Sequence, residues 1–363
     1  MTLRTRTRRR VLLPLAALAA AALTVVATAL TGVASAADQD GRFTFYPVPS
    51  VPGGPCVTSP GPDGAAWFLE TLAGKLGRID VATGRIEEYP IPYTGLPAGS
   101  VLQDLGLPVR ATAVPCALQP GPDGKMYFAN GARNQIGSID PVTKRIELFQ
   151  APDLLGNAHP LNDITPGPDN AIWFTQTTAG AIGRFDIATK RFTSYPVPTP
   201  ASVPVGIYAG PDGGVWFTET GGGKMGRIDP ATKRIEEFPT PTPASGPFVV
   251  RAQTEDRYIW FTEIVANKVG RLDTRTRQIV EYPLPTPASA PVATCTGSDG
   301  NVYISHLAKD SLARLDPSTG AVTEIPLPNS VHGVSGELNC APGNAVWLIQ
   351  LAANRVVRYS LEP

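Results

Sequence analysis

The chain contains three histidines, His159, His306 and His332. Histidine is the usual proton carrier near neutral pH, so two imidazoles on one surface can act as general base and general acid. His306 and His332 fall in neighbouring repeats, and we take them as the candidate catalytic pair, with His159 as a candidate substrate-binding residue. The competing interpretation is that each is a loop histidine that faces solvent or bonds a carbonyl. No GxSxG, phosphate-loop, HExxH or CxxC motif is present.

A repeated unit, seen most clearly from Pro204 to Pro247, must position these residues. Each copy centres on one aromatic residue. The seven aromatics are Trp67, Tyr127, Trp173, Trp216, Trp260, Tyr303 and Trp347. A period of about 43 residues with four short strand-like runs is typical of a propeller blade. The sequence therefore predicts an all-β, seven-bladed β-propeller as a single domain over residues 37–363.

The seventh repeat ends without a fourth strand, and the missing strand is expected at the other end of the chain. The segment from Phe43 to Pro49 has the pattern of the fourth strand from Ile86 to Pro92. We predict that this N-terminal strand completes the last blade and removes the open edges of the ring.

In a propeller, the first strands begin and the second strands end on one face, here called the upper face. The second-strand ends are Glu70, Asn130, Gln176, Glu219, Glu263, His306 and Gln350. The first-strand starts are Cys56, Cys116, Asn162, Val205, Phe248 and Val292, with repeat 7 open between His332 and Gly336. From these sets we take Asn162, Phe248 and Gln350 as further candidate substrate-binding residues. Two long loops, at 93–110 and 329–334, are expected on the same face.

Residues 1–36 have the features of an export signal: five arginines, an apolar run and the small-residue site Ala34-Ser35-Ala36. A membrane span is the rival interpretation, and the choice between general and twin-arginine export stays open. Removal of this segment leaves 26 basic against 31 acidic residues. This balance argues against a nucleic-acid partner, and we expect a secreted monomer with no membrane attachment once the signal is removed.

Four cysteines in an exported protein favour disulfides. Cys56 and Cys116 occupy equivalent positions of repeats 1 and 2, while Cys295 and Cys340 are nearly equivalent in repeats 6 and 7. We therefore favour the pairs Cys56 with Cys116 and Cys295 with Cys340, against the alternative of four free thiols. No cysteine has ligand spacing for a metal site.

The phrases GPDGGVWFTET and NKVGRLDTRTRQIVEYPLPTPAS resemble the streptogramin lyase (virginiamycin B lyase-like) family over nearly all of residues 42–360. The resemblance implies a magnesium-assisted carbon–oxygen lyase that opens the lactone of a cyclic depsipeptide by elimination. It places histidines at the first-strand starts of the last two blades, where this chain has Val292 and, in the second, His332. The expected glutamate of the last blade is missing from the segment Trp347 to Leu351.

The function expected from these features is an exported lyase-like propeller whose family catalytic residues are incompletely retained. Magnesium enters only through the resemblance, and the sequence assigns no metal ligands. One alternative is a non-catalytic extracellular propeller that binds a small molecule or cyclic peptide. Another is a gluconolactonase-type lactone hydrolase, which needs a metal cluster such as Glu70, Asn130 and Glu263 on the upper face.

Overall fold

The structure is a computed structural model that describes residues 41–92, 116–152, 161–328 and 335–361. Its 28 strands, numbered β1 to β28 in chain order, form seven four-stranded antiparallel sheets. The candidate residues His159 and His332, the loop at 93–110 and the segment 1–36 lie outside the described residues. Within the described ranges, no helix is both long enough and apolar enough to span a bilayer.

Each sheet is one blade, and its strands follow one another from the inside of the ring to the outside. Blade 1 contains β2 (Pro55–Pro60), β3 (Ala66–Glu70), β4 (Lys75–Ile79) and β5 (Ile86–Pro90). Blade 2 contains β6 (Leu118–Pro120), β7 (Met126–Asn130), β8 (Gln135–Ile139) and β9 (Ile146–Gln150), with a short 3₁₀ turn at Gly131–Arg133. Blade 3 contains β10 (Leu161–Pro166), β11 (Ala171–Gln176), β12 (Ala181–Asp186) and β13 (Phe192–Pro196). Blade 4 contains β14 (Pro204–Ala209), β15 (Val215–Glu219), β16 (Lys224–Ile228) and β17 (Ile235–Pro239).

The last three blades complete the ring. Blade 5 contains β18 (Pro247–Thr254), β19 (Tyr258–Glu263), β20 (Lys268–Asp273) and β21 (Ile279–Pro283). Blade 6 contains β22 (Pro291–Thr296), β23 (Val302–His306), β24 (Ser311–Leu315) and β25 (Val322–Pro326). Blade 7 contains β26 (Ser335–Cys340), β27 (Ala345–Gln350), β28 (Arg355–Ser360) and the N-terminal β1 (Phe43–Pro47). This arrangement confirms the seven-bladed propeller and its closure by the N-terminal strand.

The central aromatic of each repeat anchors its blade. In blade 4, Trp216 is fully buried and donates its indole N–H to Asp212 of the preceding turn at 2.9 Å. The other oxygen of Asp212 accepts from Arg227 at 2.8 Å, so the turn, the second strand and the third strand are joined. Gly226 has no side chain because a Cβ there would lie 2.1 Å from the ring of Phe217. The repeated residue types are therefore explained by packing within each blade.

Two disulfides join neighbouring blades in the pairing that the repeat alignment favours. Cys56 is bonded to Cys116 between blades 1 and 2, with Cα atoms 6.1 Å apart. Cys295 is bonded to Cys340 between blades 6 and 7, with Cα atoms 5.4 Å apart. The two bonds lie on either side of blades 7 and 1, and β1 and β28 pair within blade 7.

Candidate functional site

Threonines at the second strands position the first-strand starts on the upper face. In blade 4, Thr218 Oγ1 accepts the N–H of Gly206 at 2.8 Å and donates to the carbonyl of Phe248 in blade 5 at 2.7 Å. In blade 5, Thr262 repeats this arrangement toward Val292 of blade 6 at 2.8 Å. Because the bonds to Phe248 and Val292 cross between blades and are at least partly buried, they hold the backbone around the candidate site.

The strand register settles which residue starts the first strand of blade 7. Ser335 pairs with Gln350, as Pro291 pairs with His306 in blade 6. Gly336 therefore occupies the position that Val292 occupies one blade earlier. His332 precedes β26 and lies outside the described residues. Neither of the two register positions carries an imidazole.

His306 lies in a polar cluster inside its own blade. Its Nδ1 is 3.0 Å from the hydroxyl of Ser311, which donates to Glu324 at 3.0 Å. The imidazole is fully buried, and burial lowers its pKa against the opposing charge of Glu324. The neutral imidazole is therefore favoured near neutral pH.

The side chain of His306 points in a different direction from the one expected for a partner of His332. Side chains alternate along a strand, so His306 shares a face with Ile304, which packs with Trp260 of blade 5. The neighbouring Tyr303 packs instead with residues of blade 7 such as Tyr359. The imidazole thus lies on the blade 5 side rather than at the seam of blades 6 and 7, where a partnership with His332 was expected.

The glutamates at the other second-strand ends are also buried within their blades. Glu219 lies beside Lys224 and Glu237, which form an ion pair at 3.1 Å. Burial, reinforced by the negative charge of Glu237, raises the pKa of Glu219 to about 8. Burial likewise raises the pKa of Glu70 and of Glu263 to about 7 in the equivalent clusters of blades 1 and 5. These glutamates belong to the blade framework.

The metal cluster required by the hydrolase alternative is not formed. Asn130 donates to Gln135 of its own blade at 2.8 Å, and Glu263 accepts from Ser245 at 2.8 Å. Glu70 is fully buried beside Lys75 and Glu88. In the part of the chain that the structure describes, no group of three or more His, Cys, Asp or Glu side chains could hold a metal ion. The magnesium implied by the resemblance therefore has no fitting donor set among these residues.

The remaining candidate substrate-binding residues differ in their surroundings. Gln350 is buried, and its carbonyl oxygen accepts from Arg355 at 2.5 Å, so it is part of the blade 7 framework. Asn162 is half-buried and donates to Thr177 at 2.9 Å. Phe248 is half-buried and packs against the apolar cluster that contains Val249 and Val292. Among these candidates, Asn162 and Phe248 are thus the two that are not fully buried.

A buried ionic cluster inside the ring was missed by the sequence analysis. Arg251 of β18 donates from Nη2 to Asp163 of β10 at 2.6 Å, and the same nitrogen lies 3.7 Å from Glu337 Oε2 of β26. These three strands are the inner strands of blades 5, 3 and 7. A group that contacts all three must lie near the axis of the ring. The cluster therefore connects the inner strands of three blades across the ring.

The charges in this cluster are strongly coupled. Burial acts to lower the pKa of Arg251, but the charges of Asp163 and Glu337 outweigh it and raise that pKa. Burial also raises the pKa of Glu337 to about 7, although Arg251 opposes this shift. The Arg251–Asp163 pair is neutral, and Glu337 adds a further acid that holds its proton up to neutral pH. The sequence did contain a signal for this cluster. Asp163, Arg251 and Glu337 are charged residues on inner strands, and the inner strands of the other blades are uncharged.

A separate cleft of about 520 Å³ lies between blades 5 and 6 on the opposite face. It is lined by Thr254, Asp299, Arg314 and Ser318 among others. Blade 5 replaces the usual GPDG turn with Gln253-Thr254-Glu255-Asp256, and Trp260 donates to Thr254 instead of to an aspartate. The cleft lies at the end of β18 and the start of β23, whereas Phe248 and His306 lie at the other ends of these two strands.

Solved structures of known enzymes resemble this fold closely. A streptogramin B lyase superposes with a TM-score of 0.75 at 25% identity, covering 87% of this chain and 96% of that one. Virginiamycin B lyase from Staphylococcus aureus, in selenomethionine form, gives a TM-score of 0.76 at 26% identity, covering 88% and 99%. A catalytically inactive variant of that enzyme, with one histidine replaced by alanine and described with quinupristin, gives the same values.

No curated protein matches the chain. A family model described as the virginiamycin B lyase family matches residues 97–315 and 231–362, which together include most of the chain. The chain therefore belongs to the virginiamycin B lyase family.

Proposed function

We propose that the chain is an exported propeller that binds a small molecule or a cyclic peptide on its upper face without opening a lactone. The observation that carries this proposal is the pair of residues at the first-strand starts of blades 6 and 7. Val292 and Gly336 stand there, where the family resemblance implies imidazoles. Neither residue can move a proton.

The neighbouring groups give the same indication. Gln350, at the end of the second strand of blade 7, is an amide held by Arg355 and offers no carboxylate. His306 is buried, tied to Ser311 and turned toward blade 5. The described residues offer no donor set that fits magnesium.

What the upper face retains is a surface for binding. Phe248 is half-buried and presents apolar surface at the start of β18, and the half-buried Asn162 supplies an amide at the start of β10. The backbone at Phe248 is held by the partly buried hydrogen bond that Thr218 donates to the Phe248 carbonyl. A fixed apolar group with a few polar groups is the usual composition of a small-molecule site.

Export is part of the proposal and is supported by two observations. Residues 1–36 have the order of a signal segment. Both cysteine pairs are joined as disulfides, which persist in oxidising compartments outside the cytosol. Mass spectrometry of culture medium and cell extract tests this point, and a protein found only in the cells with its first 36 residues intact would contradict it.

Lyase activity is the second candidate. Family membership favours it, and so does the neighbour whose inactive form lacks one histidine and is described with quinupristin. In this chain His332 would be the general base or acid. Because elimination and hydrolysis differ by one water, the masses of the products separate the lyase from the lactone hydrolase.

One experiment separates these functions. Purified protein is mixed with quinupristin, binding is measured by calorimetry, and the ligand is then examined by chromatography and mass spectrometry. We expect binding with unchanged retention and mass. A ring-opened product of unchanged mass would establish the lyase, and one heavier by a water would establish the hydrolase.

Variants locate the site. Phe248→Ala is expected to weaken binding at least about fivefold, as the loss of one apolar contact of about 1 kcal/mol would do. Val142→Ala is the control, because Val142 is 86% exposed in the turn between β8 and β9, on the face opposite the upper face. If ring opening is seen, His332→Ala should abolish it. The variant His306→Ala should lower stability and leave turnover intact.

A further inference from the structure

We propose that blade 6 binds one primary alkylammonium group between Glu324 of β25 and Thr286 of the linker that precedes β22. The site belongs to the outer part of the upper face, because β24 begins and β25 ends there. The inference goes beyond the proposed function and is independent of it, since it uses neither Phe248 nor Asn162.

Three other blades hold an ammonium group at this position. In blade 5, Lys268 Nζ donates to Glu281 Oε2 at 2.7 Å and to the hydroxyl of Thr242 at 2.7 Å. Thr242 lies in the linker before β18, and its N–H donates to Glu281 Oε1 at 2.7 Å. The same set of a lysine, a carboxylate and a linker hydroxyl is formed in blades 1 and 4 by Lys75, Glu88 and Ser50 and by Lys224, Glu237 and Thr199. The ammonium group thus bridges the linker and the outer strand.

Blade 6 keeps the carboxylate and the linker hydroxyl but has no lysine. Ser311 pairs with Pro326 as Lys268 pairs with Pro283, so a serine stands at the lysine position. Serine is shorter than lysine by most of the alkyl chain and by the ammonium group. Ser311 donates to Glu324 Oε2 at 3.0 Å through its hydroxyl. The carboxylate of blade 6 therefore lacks the cation that its equivalents have.

No other described residue supplies that charge. Among the described residues, the group within ion-pair distance of Glu324 is the imidazole of His306, whose Nδ1 lies 3.6 Å from Oε2. Burial lowers the pKa of His306, so the neutral imidazole is favoured near neutral pH. Glu324 Oε1 accepts no hydrogen bond within the same part of the chain. A bound ammonium group would supply a charge-assisted hydrogen bond to this carboxylate.

The linker of blade 6 is anchored like that of blade 1. Asn267 donates to the carbonyl of Thr286 at 3.0 Å, as Asn354 donates to the carbonyl of Ser50 at 2.9 Å. In blade 1 the N–H and the hydroxyl of the serine then donate to the carboxylate of the outer strand. The N–H and hydroxyl of Thr286 make no such bonds in the described chain. The linker and the outer strand therefore lack their polar bridge in blade 6.

The lysine position is open to solvent. In blades 1, 4 and 5 the lysine side chains themselves are 29%, 28% and 29% exposed. The side chain of Glu324 is 24% exposed, against 15%, 17% and 8% for the equivalent glutamates that are covered by lysine. Thr286 is also partly exposed. An ammonium group can thus approach the carboxylate from solvent with its alkyl chain directed outward.

The groups present select a primary ammonium. It carries three N–H donors and no acceptor, so it can donate to Glu324 Oε2 and to the hydroxyl of Thr286 together, as Lys268 does in blade 5. A quaternary ammonium has no N–H to donate, and an alcohol has no charge. One carboxylate and one hydroxyl provide too few oxygen ligands for calcium or magnesium.

The test follows the backbone N–H signal of Thr286 by NMR during titration with ethylammonium chloride, at an ionic strength held constant with sodium chloride. We expect a saturable shift, and at least about tenfold weaker binding of tetramethylammonium, ethanol and potassium. Glu324→Gln should weaken ethylammonium binding at least about tenfold, as the loss of a hydrogen bond to a charged group predicts. Ser311→Lys should abolish binding, because its own ammonium group would occupy the site.

A lysine derivative identifies the source of the ammonium group. If Nα-acetyl-lysine N-methylamide binds as tightly as ethylammonium, the site is assigned to a lysine side chain of a peptide or protein. If it binds more weakly, the site is assigned to a small free amine.

Three results would overturn the proposal. They are a Thr286 signal that ethylammonium does not shift, equal binding of ethanol or potassium, and a shift that is retained in both Glu324→Gln and Ser311→Lys. Glu236→Gln is the control and should bind like the native protein, because this glutamate pairs with Arg234 on the outer strand of blade 4. The melting temperature of each variant establishes that it is folded.

Discussion

Arg251 and Asp163 are 88 residues apart in the chain, yet their side chains form a buried ion pair of 2.6 Å inside the ring. Asp163 is further held by the backbone, since its oxygens accept from the N–H groups of Ile164 at 2.8 Å and Ile207 at 3.0 Å. The pair thus links the inner strands of blades 3, 4 and 5.

Replacing Arg251 with methionine should destabilise the protein by about 3–5 kcal/mol, because Asp163 would remain buried without its partner. The double variant Arg251→Met with Asp163→Leu should recover a large part of this loss, since no buried charge would be left unpaired. Both are measured by guanidinium unfolding. As the control, Arg234→Met removes an exposed ion pair and should lower the free energy of unfolding by no more than about 0.5 kcal/mol. An equal loss of stability in Arg251→Met and Arg234→Met would contradict the prediction.

Local regularity explains what the sequence could predict. The aromatic of each repeat, its glycine turn and the strand pattern recur at short range, so seven blades and closure by β1 followed from the printed residues. The Arg251 cluster did not, because its members come from three different blades and meet only when the ring is closed. The repeat pattern placed His306 correctly at the end of β23. It did not show which side of that strand faces blade 5, so it could not predict the direction of the imidazole.

Glu219→Gln should change how stability depends on pH. Burial raises the pKa of Glu219 to about 8 in the folded protein, above its ordinary value of 4.5, so the folded state binds more protons than the unfolded state between these values. Stability of the native protein should therefore fall as pH rises from about 4.5 to 8. The neutral amide removes this pH dependence. As the pH rises from 5 to 8.5, the free energy of unfolding of the variant should therefore increase by at least about 1.4 kcal/mol relative to that of the native protein.

The measurement is urea unfolding at a series of pH values. Glu236→Gln serves as the control, because this glutamate is paired with Arg234 on the outer strand of the same blade, and its difference from native protein should stay constant with pH. A constant difference for Glu219→Gln as well would show that its carboxyl group is not protonated in the folded protein.

The two disulfides should each stabilise the ring. They close loops of 60 and 45 residues. Because each bond restricts the unfolded chain, the loss of loop entropy predicts that each stabilises the fold by about 4 kcal/mol. Replacing both cysteines of one pair with alanine should lower the free energy of unfolding by about 2–4 kcal/mol. Peptide mapping without reductant should recover Cys56 with Cys116 and Cys295 with Cys340; free thiols at all four positions would contradict the pairing.

Removing the strand that closes the ring should be more damaging than removing either disulfide. A chain beginning at residue 48 lacks β1, which pairs with β28 and buries Phe43 and Phe45 to 6% and 8% exposure. Loss of a buried phenylalanine costs about 3–5 kcal/mol, and β28 would become an open edge that favours aggregation. Compared with a matched chain beginning at residue 41, the shorter chain should melt at lower temperature and form oligomers by light scattering.

A peptide of residues 41–50 added in trans should restore the monomer by pairing with β28. A shorter chain that stays monomeric with an unchanged melting temperature would show that β1 does not close the ring.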